Sequence, residues 1–256
     1  PDQFFYENNN EINSQMLETR EINHKEVVAS KERIVPPVTS AKAFRVGSAT
    51  QPGKKTNVTE TATNQKKKLM NAKSTTNVGT WNVRTLYKDG HLEMATKEMD
   101  RLNLDILGLC ETRWVGKGRE KHDGKTFLYS GDEKKHMRGV GLFLSPNAEK
   151  CLQTWEAISD RIITARFQGA HSKITVVQLY ATTNPSDDTV KDDFNTQLQN
   201  AMNGTPKYDL LIVMGDFNAK LTKNRNGHET VIGPFVSSDT IDDNGERMLQ
   251  FCNTNQ

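Results

Sequence analysis

The sequence is poor in cysteine and has no long apolar run, and each shortage excludes a class of protein. Its three cysteines, Cys110, Cys151 and Cys252, are odd in number, widely spaced and without a CxxC pair. That pattern supports neither a disulfide framework nor a cysteine-built zinc site. No apolar stretch approaches the roughly 18–20 residues that a helix needs to span a bilayer. No cationic, then apolar, secretory leader follows Pro1. Without such a leader, the glycosylation sequons Asn57-Val-Thr59 and Asn203-Gly-Thr205 are read as chance. The expected setting is reducing and intracellular, nuclear or cytoplasmic, with no membrane partner. The first residue is not methionine, so the chain is read as a fragment. Charge of one sign is lacking too: 34 Lys+Arg stand against 32 Asp+Glu, for a net of +2.

The distribution of charge says more than its sum. Residues 1–32 carry three basic and seven acidic side chains, whereas residues 33–76 carry nine basic residues and one acid, Glu60. The remainder is therefore mildly acidic, with a net of −2. Residues 1–76 are also rich in Asn, Gln, Ser, Thr, Lys and Glu, and all three tryptophans (Trp81, Trp114, Trp155) lie beyond them. So little apolar material cannot offset the entropy lost on ordering, so residues 1–76 are expected to be a largely disordered basic arm. Such an arm ahead of an acidic body suits a protein that works on a polyanion, and equally a solvated linker. Lys66-Lys-Lys68 reads either as a nuclear-import run or as a phosphate-contacting patch.

The folded domain is expected over 77–256. Strand-like runs fall at 78–83, 105–110, 126–130, 139–144, 161–167, 173–180 and 209–214. His91–Leu102 has helical spacing, with Leu92, Ala95, Met99 and Leu102 on one stripe. Asp187–Met202 reads as a second helix, acidic at its start, and Asn244–Cys252 as the beginning of a third. Strands outnumber helices, and short glycine-containing turns join several of them. The pattern predicts an α/β fold of paired sheets with helices on the outer faces, not a βαβ repeat.

Three apolar strands end in polar side chains, and that is where chemistry is expected. Val78-Gly-Thr-Trp-Asn-Val83 carries Asn82, Ile106-Leu-Gly-Leu-Cys-Glu111 carries Glu111, and Leu211-Ile-Val-Met-Gly-Asp-Phe-Asn-Ala219 carries Asp216 and Asn218. Phosphodiester hydrolysis needs an activated water, an offset for transition-state charge and a stabilised leaving oxygen. Magnesium supplies the last two and prefers one or two carboxylates, with its other positions left to water and substrate. Glu111 is placed to be such a carboxylate. At i and i+2 of an extended segment, Asp216 and Asn218 would point to one side, the acid taking a proton from water and the amide orienting that water or holding a phosphate oxygen. Gly215 lets backbone approach closely there.

Thr80-Trp-Asn-Val83, Leu109-Cys-Glu-Thr-Arg-Trp114, Gly139-Val-Gly-Leu142, Gln178-Leu-Tyr180 and Gly215-Asp-Phe-Asn218 occur in the order and approximate spacing of the endonuclease/exonuclease/phosphatase superfamily, which the sequence resembles over about residues 77–256. In detail it is similar to the apurinic-type endonuclease domain of non-LTR retrotransposons and to the craniofacial-development-protein-like sequences. The resemblance implies a four-layer α/β/β/α sandwich of the DNase I-like kind and a Mg2+-dependent (or Mn2+-dependent), DNA-nicking endonuclease, monomeric and without a small-molecule cofactor. It gives Glu111 the direct metal contact with Asn82 beside it, Tyr180 a contact to the scissile phosphate, Asp216 the activation of water and Asn218 its positioning. Arg113 and Trp114 are candidates for the substrate backbone.

The sequence also departs from that family. The later family elements, an Asp before a strand and an Asp-His pair, are not reached before Gln256, and Tyr180-Ala-Thr-Thr-Asn184 replaces a proline-containing turn. None of the six histidines substitutes. The expected domain is thus incomplete at its C-terminus and its activity impaired. The alternative expectation is an inactive nucleic-acid or protein-binding module on the same scaffold.

Overall fold

The computed structural model describes residues 44–46, 69, 75–233, 235–236 and 238–255. Most of the expected basic arm, Lys66-Lys-Lys68 included, lies outside the described residues. Within it, Phe44–Val46 forms a short strand, β1, antiparallel to Thr76–Val78. Leu69 is buried and bridges to Gly169.

Two sheets stack face to face. The first contains β1, β2 (Thr76–Asn82), β3 (Ile106–Cys110), β4 (Lys117–His122), β5 (Lys125–Ser130) and β6 (Val140–Leu144), in the order β1-β2-β3-β6-β5-β4. The second contains β7 (Leu152–Ser159), β8 (Ile162–Gln168), β9 (Lys173–Tyr180) and β10 (Leu210–Asp216), in the order β10-β9-β8-β7. Among these strands, β2–β3 and β9–β10 pair in parallel and the other neighbours antiparallel. The helices are α1 (His91–Arg101), α2 (Pro146–Cys151), α3 (Asp188–Asn203) and α4 (Asp243–Thr254).

Three apolar clusters define the layers. Between the sheets lie Ile106, Leu128, Leu142, Ile163, Phe167, Val176 and Met214. On the outer face of the first sheet, Ala95 and Met99 of α1 meet Trp81, Leu107, Phe127 and Phe143. On the outer face of the second, Phe194, Leu198 and Met202 of α3 join Met248, Leu249 and Phe251 of α4 over Val177, Leu179 and Val213. Each such side chain taken fully out of water contributes about 1.5–3 kcal/mol. The α/β sandwich with helices outside both sheets is the architecture expected from the sequence. No helix among the described residues is long and apolar enough to cross a membrane.

Besides β1, three elements are not legible in the sequence. β4, Lys-Gly-Arg-Glu-Lys-His, is a charged edge strand with no buried side chain, so it shows no apolar alternation. β7 is the edge of the second sheet and is likewise only half-buried. α2 is a single short helix whose start is marked by Ser145, which accepts from Ala148 N at 3.1 Å, and by Pro146 in its first turn.

Lys121 and Arg119 of β4 both reach Glu149 of α2, Arg119 at 2.8 Å. Lys121 foremost, with Arg119, holds the Glu149 carboxyl down from 4.5 to about 2. A carboxyl depressed in the folded state stabilises above its unfolded value and loses that contribution as pH falls through the folded one. Glu149→Gln is therefore expected to flatten the acid limb of the stability curve between pH 4.5 and about 2. Urea midpoints across that range check it, and an unchanged slope would show that the cluster contributes nothing.

Candidate functional site

The parallel pairs β2–β3 and β9–β10 end at one rim, where the sheets meet. Backbone hydrogen bonds lace their ends together: Val83 N to Cys110 O at 3.1 Å, Ala181 N to Asp216 O at 2.8 Å, and Gly139 N across to Asp160 O at 3.1 Å. Arg84, Glu111, Arg113, Arg138 and Asn218, all at strand ends or in the loops beyond them, have φ between 48° and 58°. Left-handed conformation costs a bulky residue of order 1–3 kcal/mol, and such strain gathers at functional sites.

Asn82, at the end of β2, joins the two acids. Its Nδ2 donates to Glu111 Oε1 and to Asp216 Oδ2, both at 2.9 Å. Two carboxylates from different sheets therefore stand within one amide of each other. Asn82 Oδ1 turns away to accept from Arg84 N at 3.0 Å. Tyr180 ends β9 in register with Asp216. Burial above all, and then the Glu111 carboxylate it faces, push its phenol well up, so the hydroxyl stays protonated and can donate.

The Asp216–Asn218 pair is not extended, as its spacing suggested. β10 ends at Asp216, Asn218 has φ 48°, and its backbone N–H donates to Asp216 Oδ1 at 2.9 Å. An Asx turn, not strand alternation, sets the pair. The Asn218 side chain donates to Ala181 O at 2.9 Å. Gly215 does permit close approach: a Cβ there would lie 1.9 Å from Leu179 O.

Arg113 stands exposed, 3.6 Å from Glu111 Oε2. Trp114 is not drawn into the cluster. Its ring meets Phe127 and Tyr129 edge-on, and its Nε1 reaches Leu86 O at 3.5 Å.

Several supports escaped the sequence reading. Arg161 donates to Tyr180 O and Ala181 O, both at 3.0 Å, and its guanidinium lies 5.2 Å from the centre of the Tyr180 ring. Asn244, at the start of α4, donates to Thr182 O at 2.8 Å and Asn218 O at 3.0 Å, clamping the two rim loops. Fully buried Gln178 donates to Cys110 Sγ at 3.1 Å and occupies room that Gly108 leaves free. Nothing local marks Arg161, and Gln178 stands in the Gln178-Leu-Tyr180 motif with no local cue to its contacts, because the partners of both are distant in the chain. Asn244 had one cue: the helix cap Asp242, which accepts from Gly245 N at 2.9 Å.

The donor set suits a hard divalent cation. Carboxylates, an amide and a phenol line the site. The Cys110 thiol is pushed well up, first by burial and then by Asp216, so no soft thiolate is on offer. Among the described residues no three His, Cys, Asp or Glu side chains gather into a closed cage. A cation bound by one or two carboxylates needs no such cage.

Two stacked mixed sheets, flanked by helices and with acids converging at one rim, define a DNase I-like α/β sandwich. The sequence pattern of the Endonuclease/Exonuclease/phosphatase family matches residues 79–243, and the chain belongs to that family. It is 32% identical over 196 residues to craniofacial development protein 2 of Tragulus javanicus, covering 76% of this chain and 33% of that protein. For the Bos taurus protein the identity is 33% over 180 residues, covering 70% and 30%. The chain thus spans about a third of the length of these curated relatives. Among solved structures it resembles the endonuclease domain of TRAS1, a telomere-specific non-LTR retrotransposon, with a TM-score of 0.50 and 16% identity, covering 70% of this chain and 71% of that one.

Proposed function

We propose that the chain is a Mg2+-dependent (or Mn2+-dependent) phosphodiesterase that nicks DNA, an endonuclease domain of retrotransposon origin. The observation that carries this reading is the single Asn82 amide bonded at 2.9 Å to both Glu111 and Asp216. Three strands distant in sequence deliver these groups to one point. A stability role alone would not bring two acids so close, since like charges repel and partly buried ones are costly.

In this reading Glu111 would hold the cation, and Asn82 fixes the Glu111 carboxylate relative to Asp216. A divalent cation held there would supply positive charge against the scissile phosphate and the leaving oxygen. Asp216 accepts the proton of the attacking water. Its Oδ1 is anchored by Asn218 N, which keeps the carboxylate from rotating. The protonated hydroxyl of Tyr180 donates to a phosphate oxygen, with Arg161 holding the backbone at Tyr180 in place. Exposed Arg113 takes a neighbouring phosphate of the strand. In-line attack leaves a 3′-hydroxyl and a 5′-phosphate.

Supercoiled plasmid tests the proposal. Nicked circles are expected with Mg2+ or Mn2+ and not with EDTA or in Glu111→Gln. Nicking by the wild type no faster than by Glu111→Gln would overturn it. One observation favours a second reading, a nucleic-acid-binding module without turnover: several histidines bond to partners other than the two acids. His91 meets Thr85 O at 2.8 Å, His122 meets Glu120 at 3.2 Å, and His136 meets Arg113 O at 2.9 Å. DNA binding without nicking would select that reading.

A further inference from the structure

Beside the two acids, three loops are pinned into one surface. Leu86 N donates to Thr112 O at 2.9 Å, and Arg113 N donates to Arg138 O at 2.7 Å. His136 Nδ1 lies 2.9 Å from Arg113 O and, facing a carbonyl, must carry the proton. On this surface Tyr87 and His136 pair their rings, with centroids 4.1 Å apart and planes 39° apart. Tyr87 is 63% exposed, and the neighbouring Met137 is 37% exposed. Tyr208 is more exposed still, at 94%, but it precedes β10 and so stands at the far end of the strands.

An aromatic pair held in water by its loops has a free ring face and little conformational freedom left to lose on binding. The same three loops (84–90, 111–116 and 131–139) carry Arg84, Lys88, Arg113, Lys134, Lys135 and Arg138 against four carboxylates. They are thus cationic in a body whose net charge over 77–256 is −2.

We propose that Tyr87 and His136 form a stacking shelf for an unpaired base of the nucleic-acid strand whose backbone passes the Glu111–Asp216 rim. The proposal rests on the nuclease reading and adds its substrate class: DNA with an unpaired base, an overhang or a frayed end. Inside a duplex both faces of a base are covered by its neighbours, so a protein ring can stack only where the base has left the helix or ends a strand. The surrounding cations track the backbone without reading sequence, and the ring pair accepts any base, since every base has a π-face.

The test uses the full chain in EDTA, so that binding is read without hydrolysis. Fluorescence anisotropy compares one duplex fully paired, the same duplex with a single unpaired base, and the same duplex with a 3′ overhang. Tyr87→Ala and His136→Ala are each expected to weaken binding of the last two on the order of tenfold, the usual worth of one stacked base. Binding of the paired duplex should change by less than about twofold by the same reasoning. Tyr87→Trp is expected to restore the preference, which a fold defect would not allow. With 2-aminopurine at the unpaired position, quenching should fall in Tyr87→Ala and persist in Tyr208→Ala. Equal losses on all three DNAs, or none, overturn the shelf while leaving plasmid nicking, and so the nuclease reading, intact. No binding to any of the three, together with no nicking, overturns both.

Discussion

Asp216→Asn is expected to lower metal-dependent nicking on the order of 10²–10⁴-fold, the usual worth of a positioned general base, while the protein stays folded. Asp216 is only 7% exposed, and its oxygens take two donors, Asn82 Nδ2 and Asn218 N, each at 2.9 Å. An amide oxygen still accepts from Asn218, while the new NH2 faces the Asn82 donor, a contact offset by the loss of one of the two adjoining negative charges. Melting should therefore stay within a few degrees of wild type. Asp216→Ala differs in kind: it removes the acceptor of Asn218 N and one of the two acceptors of Asn82 Nδ2, which keeps only Glu111 Oε1, costing about 1–3 kcal/mol for each unsatisfied hydrogen. Nicking rates and thermal melts of the two variants separate chemistry from folding. Activity of Asp216→Asn within tenfold of wild type would remove Asp216 from the reaction.

Gly215→Ala is expected to be the most damaging small substitution, costing about 3–5 kcal/mol as a backbone-strain and steric change at one point. Gly215 has φ 143°, open to glycine and strained for any other residue. An added Cβ would meet Leu179 O at 1.9 Å, and that atom belongs to the paired strand β9, not to a side chain that could swing away. β9 and β10 would have to part at their ends, where Tyr180 and Asp216 stand opposite each other. Stability and nicking should fall together. Gly233→Ala is the control, since a Cβ there meets nothing within 4 Å, and it should change stability by less than about 1 kcal/mol. Urea unfolding of both variants checks this. A loss at Gly215 no greater than at Gly233 would mean the strands tolerate the separation.

The core strands were legible because burial leaves a local trace. β3 is buried at every position and reads as an unbroken apolar run, and β9 nearly so. α1 shows its stripe, with Ala95 and Met99 buried and Leu92 and Leu102 packed at the margin. The edge strands left no such trace, because β4 turns charged side chains to water on both faces. Candidate residues were legible only where an apolar run stops at a polar one, as at Asn82, Glu111 and Asp216. Trp114 shows the limit of that rule. It adjoins the Glu111 loop in sequence, yet its ring packs on the outer face of the first sheet.

By itself the sequence determined which segments bury their side chains, and that three of them end in groups able to handle a phosphate. Those are properties of neighbouring residues, set by transfer from water and by backbone geometry. Only the tertiary structure decided that the Glu111 and Asp216 carboxylates share one amide, that an Asx turn rather than an extended strand sets Asn218, and that Arg161 holds Tyr180. Each of these depends on distances between atoms far apart in the chain, fixed when the two sheets close on their common core.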